Sequence, residues 1–161
     1  MMRGHGTAPY KENTVKRLVA LALITLLAGC ATQGKSESQI FDEAATAHVM
    51  SLPAGANKVR LHSVKIASHG VIGDMLATVL GGGANAGQLR QELLNAQRLG
   101  DSGFLIIGAR SSIDVAVVEN ACEGLGLQGM NIYYAGTEAQ QDKVRHAVEK
   151  AQARFHFINT Q

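Results

Sequence analysis

The stretch Gly103-Phe104-Leu105-Ile106-Ile107-Gly108-Ala109 decides the fold. It is apolar at odd and even positions alike, so both faces of the strand it forms must be shielded from water. Continuous apolar strands of this kind lie in the middle of parallel sheets covered on both sides. Two further strand signals follow, Asn131–Ala135 and Phe155–Ile158. A fourth precedes them at Lys58–Ala67, where Val59 and Leu61 face one way and Val64 and Ile66 the other. That change of parity predicts a bulge near His62 and Ser63, or an incompletely covered edge strand.

Helical spacing fills the intervals. Gln88–Leu99 carries Leu89, Leu93 and Ala96; Ser112–Leu125 carries Val115, Val118, Cys122 and Leu125; Thr137–Arg154 carries Val144, Ala147, Val148 and Ala151. Thr137 with Gln140 forms a capping box, while Gly124 and Gly126 supply a helix stop. The order βαβαβαβ predicts a mostly parallel four-stranded sheet with flanking helices and right-handed crossovers. Ahead of it, Ile40, Phe41, Ala44, Ala45 and His48 mark an amphipathic helix over Glu37–Met50, closed by Pro53 and Gly55. The expectation is one small α/β domain over residues 39–161.

A chain of 161 residues has room for one such core. The formal charge of +2 misleads, because Arg3, Lys11, Lys16 and Arg17 all precede Cys30. From Cys30 onward, 11 basic side chains face 12 acidic ones, a net of −1. That part has no Trp, and its aromatics are Phe41, Phe104, Tyr133, Tyr134, Phe155 and Phe157. Neither charge nor stacking surface suits nucleic acid.

The first 30 residues fall into three zones. A polar, basic leader ends at Lys16-Arg17, the run Leu18–Ala28 is apolar but for Thr25, and small residues lead to Cys30. As a helix that run spans only about 16 Å, roughly half a bilayer's hydrocarbon core. It reads as the apolar region of a signal peptide over residues 1–29. Leu27-Ala28-Gly29-Cys30 resembles the lipobox of bacterial lipoproteins at every position. The resemblance covers about the first 33 residues. It implies diacylglycerol transfer to the Cys30 sulfur, cleavage after Gly29 and acylation of the new amino terminus. Two or three acyl chains anchor stably in membrane lipid where one does not. Ala31 follows the cysteine in place of the Asp that favours inner-membrane retention, so a Gram-negative source implies a periplasm-facing outer-membrane protein. Residues 30–38 then read as a lipidated tether. With Cys30 acylated, Cys122 has no partner within the chain for a disulfide.

In a parallel sheet the loops after the strands share one edge, where ligands meet helix N-termini. That edge collects Ser68, His69 and Gly70, then Gly108, Arg110, Ser111 and Ser112, then Gly136, Thr137 and Glu138. The candidate anion or ligand site is His69, Arg110, Ser111, Ser112 and Thr137, with the Arg110 guanidinium as main cation. The plainer alternative is that Ser112 caps a helix and Arg110 is solvated. The glycine-rich segment from His69 to Gln88 lacks the offsets of a phosphate-binding loop. It reads as a loop around a short apolar helix at Asp74–Leu80, or as a flap or partner surface. Gly100-Asp101-Ser102-Gly103 resembles the nucleophile segment of serine hydrolases over four residues only, ahead of a strand and with no triad context following. Cys122 shares an apolar stripe and reads as a buried thiol. His48, His62, His69, His146 and His156 show no metal-ligand spacing, and no cofactor motif is present.

The function these features favour is a membrane-anchored, non-catalytic binding or assembly module docking on a cell-envelope partner. The alternative is a small-ligand or phosphate-binding domain, with or without catalysis, working at the strand C-terminal edge.

Overall fold

Every strand of the sheet runs the same way. The computed structural model describes residues 34–56, 59–68, 70 and 82–161. In chain order these form α1 (Glu37–Ser51), β1 (Leu61–Lys65), α2 (Gly83–Leu99), β2 (Gly103–Ile107), α3 (Ile113–Cys122), β3 (Asn131–Gly136), α4 (Glu138–Lys150) and β4 (Arg154–Asn159). The strands lie in the order β1-β2-β3-β4, and each neighbouring pair is parallel. The chain is an α/β protein, as the apolar run at Gly103–Ala109 predicts.

Strand alternation sends two different sets of side chains to the two faces. Phe104, Ile106, Ile132 and Tyr134 pack with Leu89, Leu93, Val117, Val118, Val144 and Val148 from α2, α3 and α4. Leu105, Tyr133, Ala135 and Ile158 point the other way and meet Ile40 and Ala44 of α1. β2 and β3 are therefore buried on both sides, and their residues are nearly all inaccessible. Burial of each large apolar side chain contributes about 1.5–3 kcal/mol before entropy is charged against it.

The departures from expectation have local causes. β1 pairs with β2 from Leu61↔Gly103 to Lys65↔Ile107 without interruption, so there is no bulge. It is an edge strand: Ser63 and Lys65 are exposed, and Val64 packs only partly against the larger core. α2 starts at Gly83 and not at Gln88, because Ala86 and Leu89 are buried and carry the helix back through the glycines. Gly82 precedes it with φ +80°, its backbone so close to α3 that a Cβ would lie 2.8 Å from Val117 Cα. α4 stops at Lys150, and Gln152 at φ +66° turns the chain into β4. α1 begins inside the stretch read as tether, because Ser36 and Gln39 form a reciprocal capping box.

Cys30 and the signal segment, His69, and the segment around Asp74–Leu80 lie outside the described residues. Among the described residues no helix is long and apolar enough to cross a membrane.

Candidate functional site

The loop after β2 is built around a buried carboxylate. Asp114 sits in the first turn of α3 and is wholly inaccessible. Its Oδ1 accepts the Ala109 N–H at 2.8 Å and its Oδ2 the Arg110 N–H at 3.0 Å. The same Oδ2 lies 3.0 Å from the Tyr134 hydroxyl and accepts the Gln140 Nε2–H at 3.1 Å. Gln140 also donates to the Ser111 carbonyl, and its Oε1 accepts Thr137 N–H at 3.0 Å and Thr137 O–H at 2.8 Å. Burial pushes the Asp114 carboxyl above the usual carboxylate range, while the donors from Ala109, Tyr134, Arg110 and Gln140 pull it back. Burial and the neighbouring carboxylate push the Tyr134 hydroxyl far up.

Two backbone features make room for this cluster. A Cβ on Gly108 would lie 2.5 Å from Asp114 Oδ2, so only glycine fits. Arg110 adopts φ +60°, the left-handed conformation that turns its N–H onto the carboxylate. Left-handed backbone costs a non-glycine residue about 1–2 kcal/mol, which the hydrogen bond to a charged acceptor offsets. The Arg110 guanidinium is exposed and donates to the Lys35 carbonyl at 3.1 Å.

Arg110, Ser111, Ser112 and Thr137 line one surface groove of about 650 Å³ between α3 and α4, and Lys143 joins them. The sequence reading thus gathered four residues that the fold does bring together, and missed Lys143 and Asp114. An acidic residue beside Ile113 on an otherwise buried helix face was the available signal for Asp114. Ser112 stands at the N-cap of α3, but its side chain makes no capping hydrogen bond. The Asp114 carboxylate instead satisfies the Ala109 and Arg110 N–H groups of the loop ahead of the helix.

Cys122 lines a separate depression of about 410 Å³ with His146 and Glu123. Its thiol is 3% exposed and pushed up to about 12 by burial, so it carries no thiolate near neutrality.

A second polar cluster lies at the opposite edge, where the strands begin. His48 of α1 is inaccessible, its ring seated over Gly103, where a Cβ would come within 2.6 Å. Its Nε2 is 3.2 Å from Ser102 Oγ and its Nδ1 is 3.3 Å from the Tyr133 hydroxyl. Ser51 Oγ donates to the His48 carbonyl at 2.8 Å and lies 3.3 Å from the Tyr133 hydroxyl. His156 stacks on Tyr133 with centroids 4.6 Å apart, and its Nε2 lies 3.0 Å from Asn131 Oδ1. Burial lowers the His48 pKa against a hydrogen bond to the Arg60 backbone that raises it, and burial with nearby Arg154 and His48 lowers that of His156. The sequence reading placed His48 on the apolar stripe of α1 and set Ser102 aside, because residues from three separate elements meet here.

A scan of protein-family models and searches of curated proteins and of solved structures found no match to the chain.

Proposed function

We propose that the chain is a lipoprotein anchored through Cys30 and acting as a binding or assembly module on a cell-envelope protein, with no catalysis at the strand C-terminal edge. The observation that carries this reading is the position of its most exposed apolar residues, Phe41 near the start of α1 being exposed to a lesser degree. Val49, Met50, Val59 and Leu99 are each more than half exposed. All four belong to segments at the edge where the strands begin: the end of α1, the approach to β1 and the end of α2. Apolar side chains gathered at one end of a small domain mark a contact surface.

The chain enters at the other edge. Lys35 N donates to the Thr160 carbonyl at 3.2 Å, just past β4. From there α1 runs 15 residues, about 22 Å, toward the apolar end. A lipid on Cys30 tethers the domain by one end and leaves the other for a partner. The alternative of an anion site would have to do without the Ala109 and Arg110 N–H groups, which the Asp114 carboxylate already occupies.

The test places a photo-crosslinking residue at position 50, with position 142 on α4 as control, in cells producing the full chain. The expected result is a discrete adduct with one envelope protein from position 50 alone, lost when Cys30→Ser abolishes anchoring. The same adducts from both positions, or none from position 50, would refute the docking surface. Equal fatty-acid labelling of wild type and Cys30→Ser would refute the anchor.

A further inference from the structure

Among the described residues only Arg110 and Gln152 hold a left-handed backbone without being glycine. At position 110 the loop needs the backbone N–H, which meets Asp114 Oδ2 at 3.0 Å. Glycine would supply that N–H without strain. The strain is therefore retained for the sake of the side chain, and a backbone outlier of this kind points to function. The guanidinium is exposed, and its bond to the Lys35 carbonyl at 3.1 Å uses one of five N–H donors.

Lys35 is where the tether meets the domain. Its N–H is bonded to the Thr160 carbonyl and its own carbonyl to Arg110, so the entry point is fixed on both sides of one residue. From Cys30 to Lys35 the chain has five peptide units, which reach at most about 18 Å. An acylated Cys30 sits at the bilayer surface, so Lys35, and Arg110 bonded to it, stay within about that distance of lipid phosphate. A short tether raises the effective concentration into the millimolar range. A contact too weak to capture free phosphate is populated there.

From these observations we propose that Arg110 and Lys143 hold phosphate groups of the lipids in the bilayer that carries the anchor, setting the strand C-terminal edge against its headgroup layer. The inference rests on the Cys30 anchor and deepens the docking reading, because it turns Val49, Met50, Val59 and Leu99 away from that bilayer. Both cations line the groove of about 650 Å³ between α3 and α4. Neither is in an ion pair among the described residues, whereas Lys35 and Lys65 are neutralised by Glu43 and Glu37. Of the nearby acids, Glu138 is held by Asn159 Nδ2–H at 3.1 Å, and Glu119 lines the groove about 10 Å along α3 from Ser112. Guanidinium binds phosphate through paired N–H donors, and ammonium binds it as a compact point charge.

The test uses the full acylated chain in phosphatidylglycerol vesicles that contain a phospholipid with a photoreactive headgroup, with adducts mapped by mass spectrometry. Wild type should carry adducts on the groove segments 110–120 and 137–143 and none at Met50. Arg110→Gly keeps the N–H to Asp114 and removes only the guanidinium. Its thermal midpoint should hold while groove adducts fall about fivefold, the effect of one cation at an anionic surface. Lys143→Gln should bring a like loss, and Lys150→Gln, an exposed lysine at the far end of α4, should bring none. In detergent without phospholipid, inorganic phosphate should leave the thermal midpoint unchanged. A rise that Arg110→Gly abolishes would assign the groove to a soluble anion and overturn lipid as its ligand. Adducts undiminished in either groove variant, or confined to segments outside the groove, would overturn the inference and leave the anchor and the docking edge standing. A chain recovered without acyl groups on Cys30 would refute the anchor and this inference with it.

Discussion

Replacing Asp114 by Asn keeps the shape of the buried side chain and removes its ability to accept on both sides. The carboxylate takes Ala109 N–H on one oxygen, and Arg110 N–H, Gln140 Nε2–H and the Tyr134 hydroxyl crowd the other. An amide oxygen can replace only one of these. Its better placement is at Oδ2, which turns the new NH2 against the Ala109 N–H and leaves that donor unpaired. An unsatisfied buried donor costs about 1–3 kcal/mol, and hydrogen bonds to a charged group contribute about 1.5–3 kcal/mol each. Some of that loss is recovered because a buried charge no longer has to be desolvated. The expected net is about 2–4 kcal/mol, or a fall of roughly 8–16 °C in thermal midpoint for a domain of this size. Urea unfolding of the full chain in detergent measures it. The pH dependence adds a sign. With its pKa raised in the fold, Asp114 holds its proton where the unfolded chain has lost it, so this group favours folding below its folded pKa and opposes it above. Lowering the pH through that window therefore gains stability from Asp114, and the Asn variant should lack this component. A variant within 0.5 kcal/mol of wild type, with an identical pH slope, would refute the account of the loop; that margin is about the scatter expected of neutral surface changes.

Other perturbations follow from the same contacts. Gly103→Ala drives a Cβ into the His48 ring and should destabilise the domain by about 1–3 kcal/mol by unfolding midpoint; an unchanged midpoint would mean α1 does not seat there. His48 has a lowered pKa, so its contribution is intact above the unfolded value near 6.5 and is lost as pH falls from there toward the folded pKa. Urea midpoints between pH 7.5 and 5 (roughly one unit either side of 6.5) should fall in wild type and less in His48→Gln; equal slopes would exclude His48 as a source. Cys122 should resist maleimide until denaturant is added, and rapid stoichiometric reaction of the native chain would contradict its burial. Arg110→Ala should cost under about 1 kcal/mol, since it loses one exposed hydrogen bond, and phosphate should stabilise neither form. Phosphate stabilisation of wild type that vanishes in the variant would restore the anion site and count against the docking reading.

The fold was legible because burial on both faces leaves no choice of pattern. Leu105 and Ile106 point to opposite sides and both are inaccessible, as an unbroken apolar run requires. The start of α2 was hidden because Gly83 and Gly87 favour a loop by intrinsic propensity, and burial of Ala86 and Leu89 overrides it. The groove residues Arg110, Ser111, Ser112 and Thr137 were legible by topology alone, since a parallel sheet puts its outgoing loops on one edge. Asp114 was not, because its role depends on a left-handed Arg110 and on Tyr134 and Gln140 from two other elements. His48 was visible only as part of an amphipathic stripe, and nothing local distinguishes a buried histidine from an apolar neighbour.

The two glycines that bracket the apolar run share one physical role. A glycine in a strand weakens it and is justified where something must approach the backbone closely. At Gly108 the approaching group is the Asp114 carboxylate, and at Gly103 it is the His48 imidazole. Between them, the four residues from Phe104 to Ile107 form the middle of the molecule, with a buried polar group at each end. The carboxylate end is closed: its acceptors are filled by the chain's own donors, and its hydroxyl partner Tyr134 is held far above any working pKa. The imidazole end is open at Ser102 and bordered by exposed apolar side chains. A chain that seats a titratable side chain against each end of its central strand places there, at each end, a glycine whose missing Cβ makes the room.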